Sequence, residues 1–158
     1  MTNEIIKAGY ESLIHEFRGY KVMLDFDLAA LYGLETKRLK EKVRRNMKRF
    51  PSDFMFELNS EEFASLRTQF ATSKKGGHRY SPMALTEHGV SMLSSILNSD
   101  KAIQINIEIM RAFSRYRSLL KETEGMKKDI LKLDSKLKKA LSFYLIKLML
   151  FIKKKMTY

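Results

Sequence analysis

Cationic side chains are concentrated between residues 35 and 50, where eight lysines and arginines accompany only two glutamates. Ammonium and guanidinium groups bind phosphates, and an arginine can also donate two parallel hydrogen bonds to O6 and N7 of guanine. The chemistry that this segment predicts is therefore polyanion binding. A charge run is more often only the solvated face of a surface helix, so the elements that carry it must decide between the two interpretations.

The residues around this segment predict two short helices joined by a turn. The stretch DLAALYGLETKRLKEKVRRN, residues 27–46, contains an apolar helix that ends near Gly33, and Thr36 is the expected N-cap of the next helix. In that second helix Leu39 and Val43 lie four residues apart and are expected to face the core. An apolar helix, a glycine turn and a basic helix in this order are typical of a helix-turn-helix.

The second helix of a helix-turn-helix enters the major groove of duplex DNA. The positions predicted to contact base edges are Thr36, Lys37, Lys40, Glu41 and Arg44. Phosphate contacts set the register and carry no sequence information directly, and they are predicted for Arg38, Lys42, Arg45, Lys48 and Arg49.

A second basic cluster lies in SKKGGHR, residues 73–79, which has no apolar residue and a glycine pair. This composition predicts an exposed loop or hairpin tip. In one interpretation the loop is a wing that contacts phosphates or the minor groove through Lys74, Lys75, His78 and Arg79. In the other it is a loop tip without a partner.

The remaining elements predict an α+β fold: a helix-turn-helix-containing DNA-binding domain with small β elements and a C-terminal helical extension. Asp25 and Asp27 are expected to cap the first helix and to supply its first-turn anions. The other predicted elements are a hairpin over 13–24 broken at Arg18-Gly19, a strand over 54–59, a helix from Ser60 to Phe70 opened by a capping box of Asn59 and Glu62, an edge or extended segment at Pro82, a helix capped by Thr86, and a helix from Ser99-Asp100 to about Glu122.

No residue cluster predicts catalysis or metal binding. The group Thr86-Glu87-His88-Gly89 is explained by a helix start, and the three histidines are scattered along the chain. The absence of cysteine excludes disulfides and thiolate metal sites. We therefore expect no enzyme, no cofactor and no metal. The N-terminus has no signal-peptide core, so we expect a cytoplasmic protein.

The C-terminal residues differ in character from the rest. Residues 126–158 carry ten lysines against two aspartates, and the apolar 3-4 spacing from Ile130 to Tyr144 suits a short coiled coil. The run ALSFYLIKLMLFI, residues 140–152, is shorter than the roughly 20 residues that span a bilayer, so a transmembrane anchor is not expected and a membrane is the least favoured partner. Two alternatives are open, a partner-binding helix and an aberrant C-terminus from a shifted reading frame.

Three segments taken together resemble one family. They are YKVMLDFDLAALYGLETKRLKEKVRRNMKRFPSDFMFEL, LRTQFATSKKGGHRYSPMALTEHGVSMLSSIL and INIEIMRAF, and in this order they are similar to the ORF6N domain, a phage-derived DNA-binding module related to KilA-N and Bro-N domains. The resemblance covers residues 13–117, and we divide the chain into an ORF6N-like domain over 1–122 and a basic, apolar helical tail over 123–158. It implies a prophage or mobile-element regulator or antirepressor, although the tail departs from the charged, coiled-coil-like continuation of the family.

The interpretation that we carry forward is double-stranded DNA binding without catalysis. Homodimerisation through the long helix or the tail would fit a palindromic site. The alternative is an antirepressor that binds a repressor protein and does not recognise a DNA sequence. A third interpretation is a membrane-peripheral protein held by its cationic, apolar tail.

Overall fold

A four-stranded antiparallel sheet and five helices form the α+β fold of the computed structural model, which describes residues 9–69 and 81–156. The sheet has the order β1-β2-β4-β3 and comprises β1 (His15–Phe17), β2 (Tyr20–Leu24), β3 (Met55–Glu57) and β4 (Met83–Thr86). The helices are α1 (Asp25–Tyr32), α2 (Thr36–Arg45), α3 (Ser60–Gln69), α4 (Glu87–Leu97) and α5 (Asp100–Met156). Short 3₁₀ turns cover Tyr10–Leu13 and Met47–Arg49.

The predicted hairpin is confirmed. Phe17 of β1 lies opposite Tyr20 of β2, which leaves Arg18 and Gly19 as a two-residue turn. Both turn residues have positive φ, 53° and 79°, as hairpin turns that match the strand twist require.

The extended segment at Pro82 leads into an inner strand of the sheet and not into an edge strand. Leu85 of β4 pairs with Met23 of β2 on one side and with Met55 of β3 on the other. All four residues of β4 are buried, because both faces of the sheet are covered. Pro82 precedes the paired residues, so its missing N–H removes no ladder hydrogen bond.

Alternating strand residues supply two apolar clusters, one on each face of the sheet. The larger cluster combines Met23, Met55 and Leu85 with buried side chains of α1, α2, α4 and the first part of α5. The smaller cluster lies beneath α3 and contains Val22, Leu24, Leu58, Leu66 and Ala84, flanked by Phe17, Phe26, Phe56 and Phe63.

Side chains cap three helices where the sequence predicts them. The Asn59 backbone N–H donates to Glu62 Oε2 and the Glu62 backbone N–H donates to Asn59 Oδ1, each at 2.8 Å, so the capping box that opens α3 is confirmed. The Thr86 hydroxyl accepts from the backbone N–H of Gly89 at 3.4 Å in α4. Ser99 Oγ accepts from the N–H of Ala102 at 3.2 Å and opens α5.

Helix α5 is longer than predicted. The alternating stretch IQINIEI is helical as expected, but the helix continues past Glu122 to Met156, 57 residues in all. Residues 123–156 contain no proline and a single glycine, so nothing in the sequence terminates the helix. The chain divides into one compact unit that ends at Tyr116 and a second that begins at Arg117. Within residues 9–69 and 81–156, no helix contains an apolar stretch of the length that a membrane span needs.

The turn between α1 and α2 is built as predicted. Gly33 has left-handed backbone angles, φ 69° and ψ 36°. The N–H of Leu34 donates to the Ala29 carbonyl at 2.8 Å and the N–H of Gly33 to the Ala30 carbonyl at 3.2 Å, which is a Schellman arrangement. The prediction that Thr36 caps α2 is wrong by one position, because Glu35 occupies the N-cap and Thr36 is the first helical residue.

Asp25 does not cap α1. Leu24 occupies the N-cap position, and the Asp25 side chain is buried, with 1% of its surface exposed. Asp25 Oδ2 accepts from the backbone N–H of Met83 at 2.9 Å and lies 3.2 Å from Lys40 Nζ. Lys40 Nζ also donates to the Ser81 carbonyl at 2.7 Å. These contacts tie α1, α2 and the start of β4 together.

Asp27 lies in the first turn of α1 as predicted, but its environment opposes ionisation. Burial, and then the neighbouring Asp25 carboxylate, raise the pKa of Asp27 from 3.8 to about 7. Below that pH the Asp27 side chain is held in the protonated form, so it is not the permanent first-turn anion that the sequence suggested.

Substituting Lys40 by Met is expected to lower the free energy of unfolding by about 3 kcal/mol, because it leaves a buried carboxylate without its cation. Urea denaturation measures the change. Lys37→Met is the matched control, since Lys37 lies in the same helix with an exposed side chain, and we expect a change below about 0.5 kcal/mol. Equal effects of the two substitutions would show that the Asp25–Lys40 pair does not stabilise the fold.

The raised pKa of Asp27 predicts that its contribution to stability falls as the pH rises from about 4 to about 7. Over that range the unfolded carboxyl has already lost its proton, whereas the folded one still holds it. Asp27→Asn should remove this decline, so the melting temperature of the variant should exceed that of the native protein by more at pH 8 than at pH 4. Asp53→Asn, at an exposed position, should leave the pH profile unchanged.

Candidate nucleic-acid interface

Helix α2 has one face fixed in the core. Leu39 and Val43 are fully buried, and Lys40 is buried beside them with its ammonium held by Asp25. At 100° per residue these three positions lie on one side of the helix. The orientation of α2 about its own axis is therefore set by apolar packing and by one buried ion pair.

The opposite face of α2 is cationic and exposed. Lys37, Arg38 and Arg45 are exposed, and Glu41 lies among them, partly buried. Lys42 is partly buried on one flank of this face, whereas Thr36, also partly buried, begins the helix on the side of Leu39, Lys40 and Val43. We call the exposed cations of α2 and the turn after it the basic face: Lys37, Arg38, Arg44, Arg45, Lys48 and Arg49.

Lys40 does not belong to the basic face, although the sequence predicted it as a base contact. Its side chain is 11% exposed, and its ammonium is engaged by the Asp25 carboxylate and the Ser81 carbonyl. To reach a DNA base, Lys40 would have to leave both partners and abandon a buried carboxylate, which is costly. We therefore leave Lys40 out of the proposed DNA contacts.

Arg44 lies at the edge of the basic face that borders the sheet. Arg44 Nη2 is 3.5 Å from Glu57 Oε1 of β3, and both side chains are more than half exposed. An exposed ion pair of this kind contributes little to stability and is easily exchanged for another anion. Arg44 is thus available to a ligand, with Glu57 as its partner in the free protein.

The cations after α2 lie in the short 3₁₀ turn Met47–Arg49. Lys48 is exposed, and Arg49 Nη1 donates to Ser95 Oγ of α4 at 3.2 Å. Phe50 is buried and anchors the end of this turn in the core. Arg49 therefore links the basic face to α4.

The predicted wing over residues 73–79 lies outside the described residues, and with it Lys74, Lys75, His78 and Arg79. The described chain resumes at Ser81. The Ser81 carbonyl, two residues beyond the predicted wing, accepts from Lys40 Nζ at 2.7 Å and so lies against α2.

The hairpin turn presents a further arginine that the sequence did not single out. The Arg18 guanidinium forms two hydrogen bonds to the Glu62 carboxylate, at 2.8 and 2.9 Å, and lies 4.5 Å from the centre of the Phe56 ring. The hydrogen bonds from Arg18 hold the pKa of Glu62 below its ordinary value. Sequence reasoning missed this contact because its partners are 44 residues apart.

The cluster at the start of α4 has structural roles. Thr86 caps the helix, and the His88 ring stacks on the Phe54 ring with a centroid distance of 5.2 Å. Within residues 9–69 and 81–156 no three histidine or acidic side chains are grouped as metal ligands.

Comparison with known proteins assigns this fold to a family. The model of the ORF6N domain matches residues 12–96, more than half of the chain, and the matched span contains all four strands, the α1–turn–α2 unit and the basic face. No curated protein and no solved structure matches the chain. The protein is therefore a member of the ORF6N domain family.

Proposed function

We propose that this protein binds double-stranded DNA through the basic face of α2 and acts, without catalysis, as a phage-type transcriptional regulator or antirepressor. The observation that carries the proposal is the two-sided character of α2. Its inner face is fixed by Leu39, Val43 and the Asp25–Lys40 pair, while its outer face presents unburied cations. The ORF6N domain supports a protein of phage type.

The dimensions of α2 suit the major groove. Ten residues give a helix of about 15 Å, and the groove is about 12 Å wide and admits a single helix. We propose base contacts for Thr36, Lys37, Glu41 and Arg44, and phosphate contacts for Arg38, Lys42, Arg45, Lys48 and Arg49. Glu41 can accept from the N4 amino group of cytosine, which gives the face one discriminating acceptor among its donors.

The wing remains part of the proposal. The contact between Ser81 and Lys40 supports it, because the chain re-enters the described fold beside α2. Lys74, Lys75, His78 and Arg79 would then add phosphate or minor-groove contacts next to the helix, which raises affinity more than specificity.

The test is selection of bound sequences from a random pool of DNA duplexes by the full chain at two salt concentrations. We expect an enriched motif that persists at the higher salt, and two inverted half-sites if the protein binds as a homodimer. Salt-labile binding to all sequences alike, or no binding, would refute sequence-specific recognition and favour the antirepressor that binds a repressor protein.

A charge-matched pair of variants ties any binding to α2. Arg38→Gln with Arg45→Gln removes two cations from the basic face, and Lys127→Gln with Lys128→Gln removes two from α5. If α2 is the interface, the first variant should lower affinity and flatten the salt dependence by about two units, whereas the second should change neither.

Arg44→Ala is expected to weaken binding to the enriched motif by about 1–3 kcal/mol if Arg44 donates to a base, with a smaller loss on unrelated duplexes. Titration of both duplexes with the native protein and the variant measures the difference. Glu57→Ala serves as the control, because it releases Arg44 in the free protein without removing the guanidinium. A loss that is equal on all sequences would reassign Arg44 to a phosphate.

A further inference from the structure

The C-terminal part of α5 exposes apolar side chains on an unusual scale. Every residue from Lys121 to Met156 is exposed. In the run 140–152 the large apolar side chains are 48 to 69% exposed. Such a surface marks a binding site, because water disfavours a contiguous apolar patch of this size.

The exposed surface changes along the helix. From Met126 to Leu141 it is amphipathic apart from Leu131, since an apolar stripe with 4-3-4-4 spacing lies opposite most of the lysines; the stripe consists of Met126, Ile130, Leu133, Leu137 and Leu141. From residue 143 to 152 apolar side chains occupy every side of the helix, as the succession Phe143, Tyr144, Leu145 and Ile146 shows. The stripe thus widens into a fully apolar segment.

Cations surround the apolar segment. Residues 126–156 hold ten lysines and two aspartates, with Lys138 and Lys139 before the run and the cluster 153–155 after it. Lys147 Nζ lies 5.7 Å from the centre of the Phe143 ring, and Lys155 Nζ lies 5.2 Å from that of Phe151. Both lysines are exposed, and their ammonium groups lie over aromatic rings, so cationic and apolar groups adjoin on this surface.

A second copy of the chain fits this surface poorly. A helix pair would cover the stripe but leave the other sides of residues 143–150 in water. Two such helices side by side would also bring together segments that both carry a large positive charge. The charge and the apolar run instead match an anionic lipid surface, where acyl chains can cover the apolar side chains and headgroups can bind the lysines.

We propose that residues 126–156 of α5 bind the surface of an anionic lipid bilayer, with the apolar run in the acyl boundary and the flanking lysines on the headgroups. The run of 13 residues is about 20 Å long, short of the roughly 30 Å hydrocarbon core, so the helix lies in the interface. The inference uses residues outside the basic face and does not rest on DNA binding.

Flotation of the full chain with lipid vesicles tests the proposal. One set of vesicles contains phosphatidylcholine alone, and in the other part of it is replaced by phosphatidylglycerol. We expect the protein to float with the anionic vesicles and to be released by salt. Lys138→Gln with Lys139→Gln should weaken binding about fivefold for each lysine removed. Leu141→Ser with Leu148→Ser and Ile152→Ser should weaken it by at least about tenfold.

The matched control is Lys37→Gln with Arg38→Gln, which removes two cations from the basic face and should leave flotation unchanged. Loss of flotation in that control would assign vesicle binding to α2 and overturn the proposal. Equal binding to both kinds of vesicle would overturn the anionic preference. Absence of flotation would overturn the proposal as well. If the unbound protein then sediments as an oligomer, and the Leu141, Leu148 and Ile152 substitutions convert it to a monomer, the occupant of the apolar surface is a second copy of the chain.

Discussion

The structure depends on the buried contact between Asp25 and Lys40. A carboxylate with 1% exposure is stable in a protein interior only when its charge is neutralised and its oxygens accept hydrogen bonds. Lys40 supplies the charge and the Met83 backbone N–H supplies a hydrogen bond. The partners lie in α1, α2 and β4, so one pair fixes the start of the first helix, the inner face of the second and the entry of an inner strand.

This contact also explains how α2 carries many cations and still packs one side against the core. One of its cations is turned inward and used as a structural group, beside the apolar contacts of Leu39 and Val43. Because that side of α2 packs against the core, the remaining cations lie on the other sides of the helix. Most of them are exposed, and Arg44 lies beside Glu57 of β3. A preorganised cationic face of this kind is what binding to a regular polyanion requires.

The two compact units of the chain differ in whether their apolar side chains are buried or exposed. In the first, apolar side chains are buried on both faces of a small sheet, and the buried Asp25 carboxylate is paired with Lys40. In the second, from Arg117 onward, the helix exposes apolar and cationic side chains alike. Its stability as a helix follows from composition, since leucine, lysine and methionine are strong helix formers and no proline intervenes. Its apolar surface is therefore free for a role other than folding.

Local signals in the sequence determined the hairpin turn at Arg18-Gly19, the glycine turn at Gly33 and the capping box of Asn59 and Glu62. Each rests on backbone geometry or hydrogen bonds between residues a few positions apart, so spacing alone identifies it. The apolar spacing of Leu39 and Val43 likewise identified the inner face of α2, and the resemblance to the ORF6N domain agreed with the family match. Only the tertiary structure decided that Lys40 points inward, that Asp25 is its partner and not a cap, that β4 is an inner strand, and that Arg44 neighbours Glu57. These contacts join residues that are distant in sequence, and charge type alone does not reveal whether a lysine meets solvent or a buried carboxylate.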